Sequence, residues 1–254
     1  MPRIYAYHFN DPTNLGDLVC CPVDYFESLR CAEKIDWQCD PEKFADAPVI
    51  IGGGGLLNPA MSERLERVVL RRTAPSVLWG VGTNVHRETK ASYPNYLGHA
   101  GLVGLRDFGN PFEYVPCPSC LHPAFGGKFP VHHDFVIYEH SHHTIGIEPS
   151  APRMANNEPK ERMEAVLRFL ASGDLVITNT YHGCFWAMLL SRRVLVYRPF
   201  SSRFFYFKPK VVFCDGDNWR AKAKETIRTI GYLEECRAIN TRFAARVLEF
   251  LKIE

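Results

Sequence analysis

The sequence predicts an α/β protein in two halves, each built on a doubly wound parallel sheet, with a cleft between them. Three observations predict it. Short, continuous apolar runs of the kind that form strands buried on both faces recur at Pro48–Ile51, Ser76–Trp79, Leu102–Leu105 and Arg193–Tyr197. The first three end in Gly52 to Gly55, Gly80 to Gly82 and Arg106-Asp107. Strand, glycine turn and helix in succession is the grammar of such sheets, whose ligands lie beyond the carboxyl ends of the strands. Between Phe125 and Asp134, Gly126-Gly127, Pro130 and His132-His133 interrupt any period, which divides the chain into 1–128 and 129–254.

Taken in order, Arg3 to Phe9 is a short aromatic-rich strand that runs into the turn-dense loop Asn10 to Asp17. A helix is expected from Pro22 to Lys34, with Pro22 tolerated in its first turn. The strand at Pro48–Ile51 and its four glycines lead to a helix from about Ala60 to Arg72. The Ser76 strand closes on Gly80-Val-Gly82-Thr-Asn84, and the Leu102 strand closes on Arg106-Asp107. Tyr114-Val115 and a proline-rich segment from Cys117 to Phe125 end the first half.

The second half restarts with a strand at Phe135–Tyr138, followed by a polar segment from His140 to Asn157 and a helix from Pro159 to about Ser172. Leu175 to Thr178 is an apolar strand, Asn179-Thr180 a turn, and an amphipathic helix begins near His182. That helix start leaves backbone N–H groups without partners, which favours anions there. His182 stands at this position, where a histidine is readily tuned for proton transfer, while Thr178, Asn179 or Thr180 can cap the helix. The Arg193 strand runs into Arg198–Phe204, and Val211–Phe213 is a last short strand. From Trp219 the chain is helical, with breaks expected near Gly231 and Asn240 and an apolar face at Ile239, Phe243, Val247, Leu248 and Leu251.

Composition narrows the function classes. The chain has 254 residues, 46% hydrophobic and 23% charged, which is ordinary for a globular protein. A net charge of +2 gives no footprint for nucleic acid. No apolar run approaches the roughly 18 residues of a membrane span, and the first residues contain no signal-peptide h-region, so the expected location is cytoplasmic. The nine cysteines follow no regular framework and are expected to be reduced. Cys117-Pro-Ser-Cys120 lies near His122, His132, His133 and the His140 to His143 cluster, yet no second CxxC accompanies it. No metal site is therefore expected. The glycine turns carry neither GxGxxG nor a P-loop lysine, so no dinucleotide or P-loop cofactor is expected either. The basic run Arg198, Arg203, Lys208 and Lys210 around Ser201-Ser202 reads as an anion-binding lid or as a solvated loop.

Five short motifs occur in one order: Asn14-Leu-Gly-Asp17, Val49 to Leu57, Trp79-Gly-Val-Gly82, Gly104-Leu-Arg-Asp107 and Ile177 to Gly183. That ordered set resembles the polysaccharide pyruvyl transferase family over nearly the whole chain. The resemblance implies two Rossmann-like domains of GT-B-like arrangement, an acceptor side in the first half and a donor side in the second. It implies transfer of pyruvate from phosphoenolpyruvate onto two hydroxyls of a carbohydrate acceptor as a ketal, in cell-surface polysaccharide synthesis. A lipid-linked acceptor would bring the protein to a membrane surface peripherally. His182 matches the family's His-Gly motif as the general acid, with Tyr181 and Gly183 beside it. Arg106 matches the arginine that grips an anionic group. Asn14 and Asp17, with Gly53, Gly54, Gly82 and Asn84, fall on the acceptor side or in the cleft.

The chain departs from the family at Thr180, where many members carry arginine two residues before the motif histidine. Ser201, Ser202, Arg203 and Lys208 are the candidates to supply the missing donor contacts. This departure keeps two alternatives open: a glycosyltransferase of similar fold that uses a nucleotide-sugar, and a non-catalytic glycan-binding protein. The acceptor sugar and the oligomeric state are not legible.

Overall fold

Val49-Ile-Ile-Gly52 and Ser76-Val-Leu-Trp-Gly-Val81 are buried at every position, as strands covered on both faces must be. They form the centre of a six-stranded sheet in a computed structural model that describes residues 3–157 and 162–253. The strands are β1 (Tyr5–His8), β2 (Glu33–Asp36), β3 (Val49–Gly52), β4 (Ser76–Val81), β5 (Leu102–Leu105) and β6 (Glu113–Tyr114). All pairings are parallel, in the order β2-β1-β3-β4-β5-β6. A second parallel sheet of five strands comprises β7 (His133–Glu139), β8 (Arg153–Ala155), β9 (Gly173–Thr178), β10 (Arg193–Tyr197) and β11 (Val212–Cys214), in the order β11-β10-β9-β7-β8. This is the expected mixed α/β architecture with two parallel sheets, of the doubly wound, Rossmann-like kind.

The helices are α1 (Leu15–Leu18), α2 (Pro59–Leu70), α3 (Met163–Ser172), α4 (Tyr181–Leu189), α5 (Trp219–Ala223) and α6 (Tyr232–Leu251). One face of the first sheet packs Tyr7, Ile51, Leu78 and Val81 against Leu65, Val68 and Val69 of α2. In the second sheet, Val136 and Val176 pack beneath α3 and α4, while Ile137, Ile177 and Leu195 pack against Trp219 and Ala223 of α5. Strand order reverses between β1 and β3 in the first sheet and between β7 and β9 in the second. Diverging connections at such reversals leave a crevice at the carboxyl ends of the strands.

The second face of the first sheet is covered from the far end of the chain. Phe243, Ala244, Val247 and Leu251 of α6 join Ile4, Ala6, Val77 and Trp79 in one core cluster. The division at 128/129 leaves out this return. Asn240 secures it: its Oδ1 accepts from Trp79 Nε1 at 2.8 Å, and its Nδ2 donates to Pro116 O and Cys236 O. The helix runs unbroken through Asn240, where a break was expected: the amide is fully buried, is tied to Trp79 and Pro116 across the core, and also bonds back to the carbonyl of Cys236 one turn earlier in the same helix. The break at Gly231 is present, in left-handed backbone at φ 77°.

The expected helix from Pro22 to Lys34 is instead two 3-10 turns, Pro22–Tyr25 and Glu27–Leu29, followed by β2. Phe26 between the turns is extended, and Val23 and Leu29 tuck under the first sheet. β2 is an edge strand held by backbone pairing to β1, so its Glu33 and Lys34 need no apolar alternation. Pro159 to Glu161, the start of the next expected helix, lie outside the described residues. Among the described residues no helix is long and apolar enough to cross a membrane.

Candidate functional site

Strand ends of both sheets converge on one cleft. β1 leads to Asn14-Leu-Gly-Asp17, β3 to the glycine turn and Asn58, β7 to His140, and β9 to Thr180-Tyr-His182. The cavity between them holds about 160 Å³. Asn14, Asp17, Asn84, Arg106, Thr180, Tyr181, His182 and Arg203, all named from the sequence, line it.

Thr180 caps α4: its Oγ1 accepts from Gly183 N at 2.9 Å and lies 3.2 Å from Thr178 Oγ1. Its hydroxyl is committed to the helix. Gly183 leaves no room for a Cβ, which would overlap Thr180 and Tyr138. The cap sets His182 in the first turn, its imidazole stacked on Trp186 at 4.9 Å between centroids. Nε2 lies 3.7 Å from Cys117 Sγ, and the ring edge at Nδ1 faces Gly16, where a Cβ would overlap it. Burial, then the charges of Arg106 and Arg203, hold the pKa of His182 well below the usual histidine range. The resting imidazole is therefore neutral at pH 7.

Two guanidiniums line the cavity, one from each half of the chain. Arg106, at the end of β5, is buried and sits 3.8 Å from the Tyr181 ring centroid. Arg203 comes from a 3-10 turn, Ser202–Phe204, and lies against Phe200 and Phe204. Burial and then the nearby Arg106 lower its pKa to about 10, which leaves it charged. The Nε of each is buried without a hydrogen-bond partner, and among the described residues no carboxylate reaches ion-pair distance of either. Asn84 Oδ1 and Ser201 Oγ, on the flanking segments, are also buried and unpartnered. Such groups are normally satisfied, so this cluster has the form of a site for a small anion with further polar atoms.

Asp17 faces these cations. Its Oδ2 accepts from Asn14 Nδ2 at 2.6 Å, and Asn14 caps α1. Burial raises its pKa to about 6, against the lowering effect of Arg106 and Arg203. Asp107 holds the wall: its carboxylate accepts from Thr83 N at 2.7 Å. It is thus not a surface ion-pair partner of Arg106. Gly82 is needed here because a Cβ would sit 2.6 Å from Arg106 Cγ.

The remaining candidates have other places. Gly53 (φ 55°) and Gly54 (φ 81°) form a left-handed turn behind the wall, against Cys20 and Asp17. Ser202 pins the two halves together, its Oγ accepting from Val85 N and its N donating to Val85 O. Arg87 N to Phe200 O and Phe108 N to Tyr206 O extend this clasp. The 198–206 segment is thus a strap bonded to the first half, neither lid nor solvated loop. Lys208 is a correction: it pairs with Glu235 outside the cavity and is not a cavity contact, because α6 offers it a carboxylate on the surface.

Several lining residues escaped the sequence reading: Phe9, Asn58, Met61, His140 and Trp186. Asn58 was legible as the cap before Pro59, and it caps α2 by accepting from Met61 N. His140, one of the histidines that follow the Cys117-Pro-Ser-Cys120 motif, lies in the cavity wall. It packs against His143 and Phe200, and burial with Arg203 and the neighbouring histidines lowers its pKa to about 4. Among the described residues no group of three or more His, Cys, Asp or Glu could hold a metal ion.

Fold and site define a two-sheet, doubly wound α/β protein with a cationic cleft at its strand ends. The chain matches no known family description and no curated protein. Among solved structures it is similar to the crystal structure of an uncharacterized protein from Klebsiella pneumoniae, at 14% identity and a TM-score of 0.53. The match covers 85% of this chain and 93% of that one, and at such identity it shows the fold alone.

Proposed function

We propose that this chain is a transferase that binds a small doubly anionic donor between Arg106 and Arg203, with phosphoenolpyruvate the donor that fits best. The observation that carries this reading is the pair of buried guanidiniums, each with an unpartnered Nε, facing one cavity. Phosphoenolpyruvate brings a carboxylate and a phosphate, one for each arginine. The motif resemblance supports the same reading.

The reaction is transfer of a pyruvyl group to two hydroxyls of a sugar, with phosphate released. The donor's methylene carbon gains a proton, C2 becomes cationic, and a sugar oxygen bonds to it as its hydroxyl proton leaves. Phosphate then departs from C2, and a second hydroxyl closes the ketal with loss of its proton. His182 is the acid for the methylene carbon. Donor charge on Arg106 and Arg203 cancels their repulsion of a proton on His182, so the imidazole gains proton affinity as the donor binds. Asp17, ionised above about pH 6, is placed to take the hydroxyl proton. The acceptor, in this reading, is part of a cell-surface glycan assembled at the cytoplasmic side.

Thr180 in place of the family arginine favours a second reading, a nucleotide-sugar glycosyltransferase. Thermal shift separates the two, because a ligand that binds only the native state raises the midpoint by mass action. Phosphoenolpyruvate is expected to raise it and uridine diphosphate or its sugars to leave it unchanged. Stabilisation by the nucleotide alone sinks the pyruvyl-transfer reading.

A further inference from the structure

The Cys117-Pro-Ser-Cys120 segment forms no disulfide: both cysteines are free and fully buried. It lies instead behind His182, and its hydrogen bonds have a direction. Trp186 Nε1 is 3.0 Å from Ser119 Oγ, and an indole nitrogen can only donate. Ser119 Oγ is therefore the acceptor there, and its own hydrogen is free for Cys117 Sγ at 3.2 Å. With that sulfur accepting from Ser119, the thiol hydrogen points to its other partner, His182 Nε2, at 3.7 Å. The chain reads Trp186 to Ser119 to Cys117 to His182, and it ends by donating into the imidazole. The other ring nitrogen, Nδ1, has no protein partner among the described residues and lies against Gly16 at the cavity wall.

We propose that Cys117 is a positioning residue that holds neutral His182 in the Nδ1–H tautomer, with this N–H at the cavity. Which nitrogen carries the proton is set by the bond that the other makes. The indole of Trp186 both stacks on the imidazole and starts the chain, so orientation and tautomer share one support. The catalytic consequence rests on the pyruvyl-transfer reading: Nδ1–H meets the donor, and a second proton gained on donor binding goes to Nε2 as the thiol turns to accept. The tautomer itself does not depend on that reading.

The test is NMR of the full, ligand-free chain with 15N-labelled histidine at pH 7.5, where couplings from the ring-carbon protons tell which nitrogen carries hydrogen. His182→Gln identifies the resonances. In the wild type Nδ1 is expected to be protonated and Nε2 bare, and Cys117→Ser, which keeps a donor, is expected to preserve this. Cys117→Val is expected to lose the preference, and Ser119→Ala to weaken it. An Nε2–H form in the wild type, or an unchanged Nδ1–H form in Cys117→Val, overturns the proposal. Should Cys117→Val fail to fold, the wild-type and Cys117→Ser spectra still decide it. A failure of phosphoenolpyruvate to bind leaves this measurement untouched, so the two readings fall separately.

Discussion

The guanidinium of Arg106, at the end of β5, lies 3.8 Å from the ring centroid of Tyr181, the first residue of α4, which follows β9 of the other sheet. A cation over an aromatic face is attracted to it, and more strongly away from water. Tyr181 thereby holds the arginine at the cavity while leaving its Nε unpartnered. Lysine cannot reproduce both the stacking and the forked donor geometry. Arg106→Lys is expected to weaken phosphoenolpyruvate binding by about 10- to 100-fold, the loss of one charge-assisted hydrogen bond of roughly 1.5–3 kcal/mol. Titration calorimetry checks this, and an affinity within twofold of the wild type removes Arg106 from the donor site.

Asp17 gives a pH prediction whose sign is fixed by its raised pKa. Between about pH 4 and about pH 6 the folded chain holds a proton that the unfolded chain has already released. Stability from this group is thus fully present below pH 4 and lost as pH rises through 6. Asp17→Asn should remove that loss, leaving the variant more stable at pH 7.5 by about 1–3 kcal/mol. The same substitution removes the proposed base, so activity should fall while the melting temperature rises. Urea unfolding of both proteins at pH 4 and pH 7.5 measures it. Parallel shifts in the two would show that Asp17 is not the group responsible.

Gly16 and His182 make a steric prediction. A methyl group at position 16 would overlap the His182 imidazole, and α1 carries this residue at normal helical geometry, so the glycine is there for space rather than for backbone freedom. Gly16→Ala is expected to cost about 1–3 kcal/mol through overpacking and to displace the imidazole. In Gly16→Ala/His182→Ala the clash is gone, so the double variant should be more stable than the sum of the singles by about 1–2 kcal/mol. Strict additivity in thermal unfolding would place the two residues out of contact.

The strand grammar was legible because parallel strands buried on both faces are apolar nearly throughout, as Val49–Gly52 and, after Ser76, the rest of β4 are. His182 at the head of a helix was legible for a local reason too: a small polar residue, Thr180, directly precedes it as the cap. What was not legible is non-local. Cys117 meets His182 from 65 residues away, and Arg203 reaches the cavity only because Ser202 is bonded to Val85 across the halves. β2 misled because an edge strand carries no burial pattern to read. The return of α6 left only a weak trace, an apolar face with no hint of which sheet it covers.

That return supplies the last prediction. Asn240 is fully buried, and its amide bridges Trp79, Pro116 and Cys236 with donors and acceptors fully matched. Asn240→Ala strands the Trp79 N–H and the Pro116 carbonyl in an apolar core, which should cost about 2–4 kcal/mol. Asn240→Asp keeps an acceptor for Trp79 but has no hydrogen for the two carbonyls and brings a charge that burial opposes. It should be the more damaging of the two above pH 7 and should recover part of the difference in acid, as its carboxyl protonates. Local packing alone would rank the variants by volume, with alanine worse at every pH. Thermal unfolding of both at pH 5 and pH 8 separates the accounts, and a melting temperature for Asn240→Ala close to the wild type would mean that α6 is held by its apolar face alone.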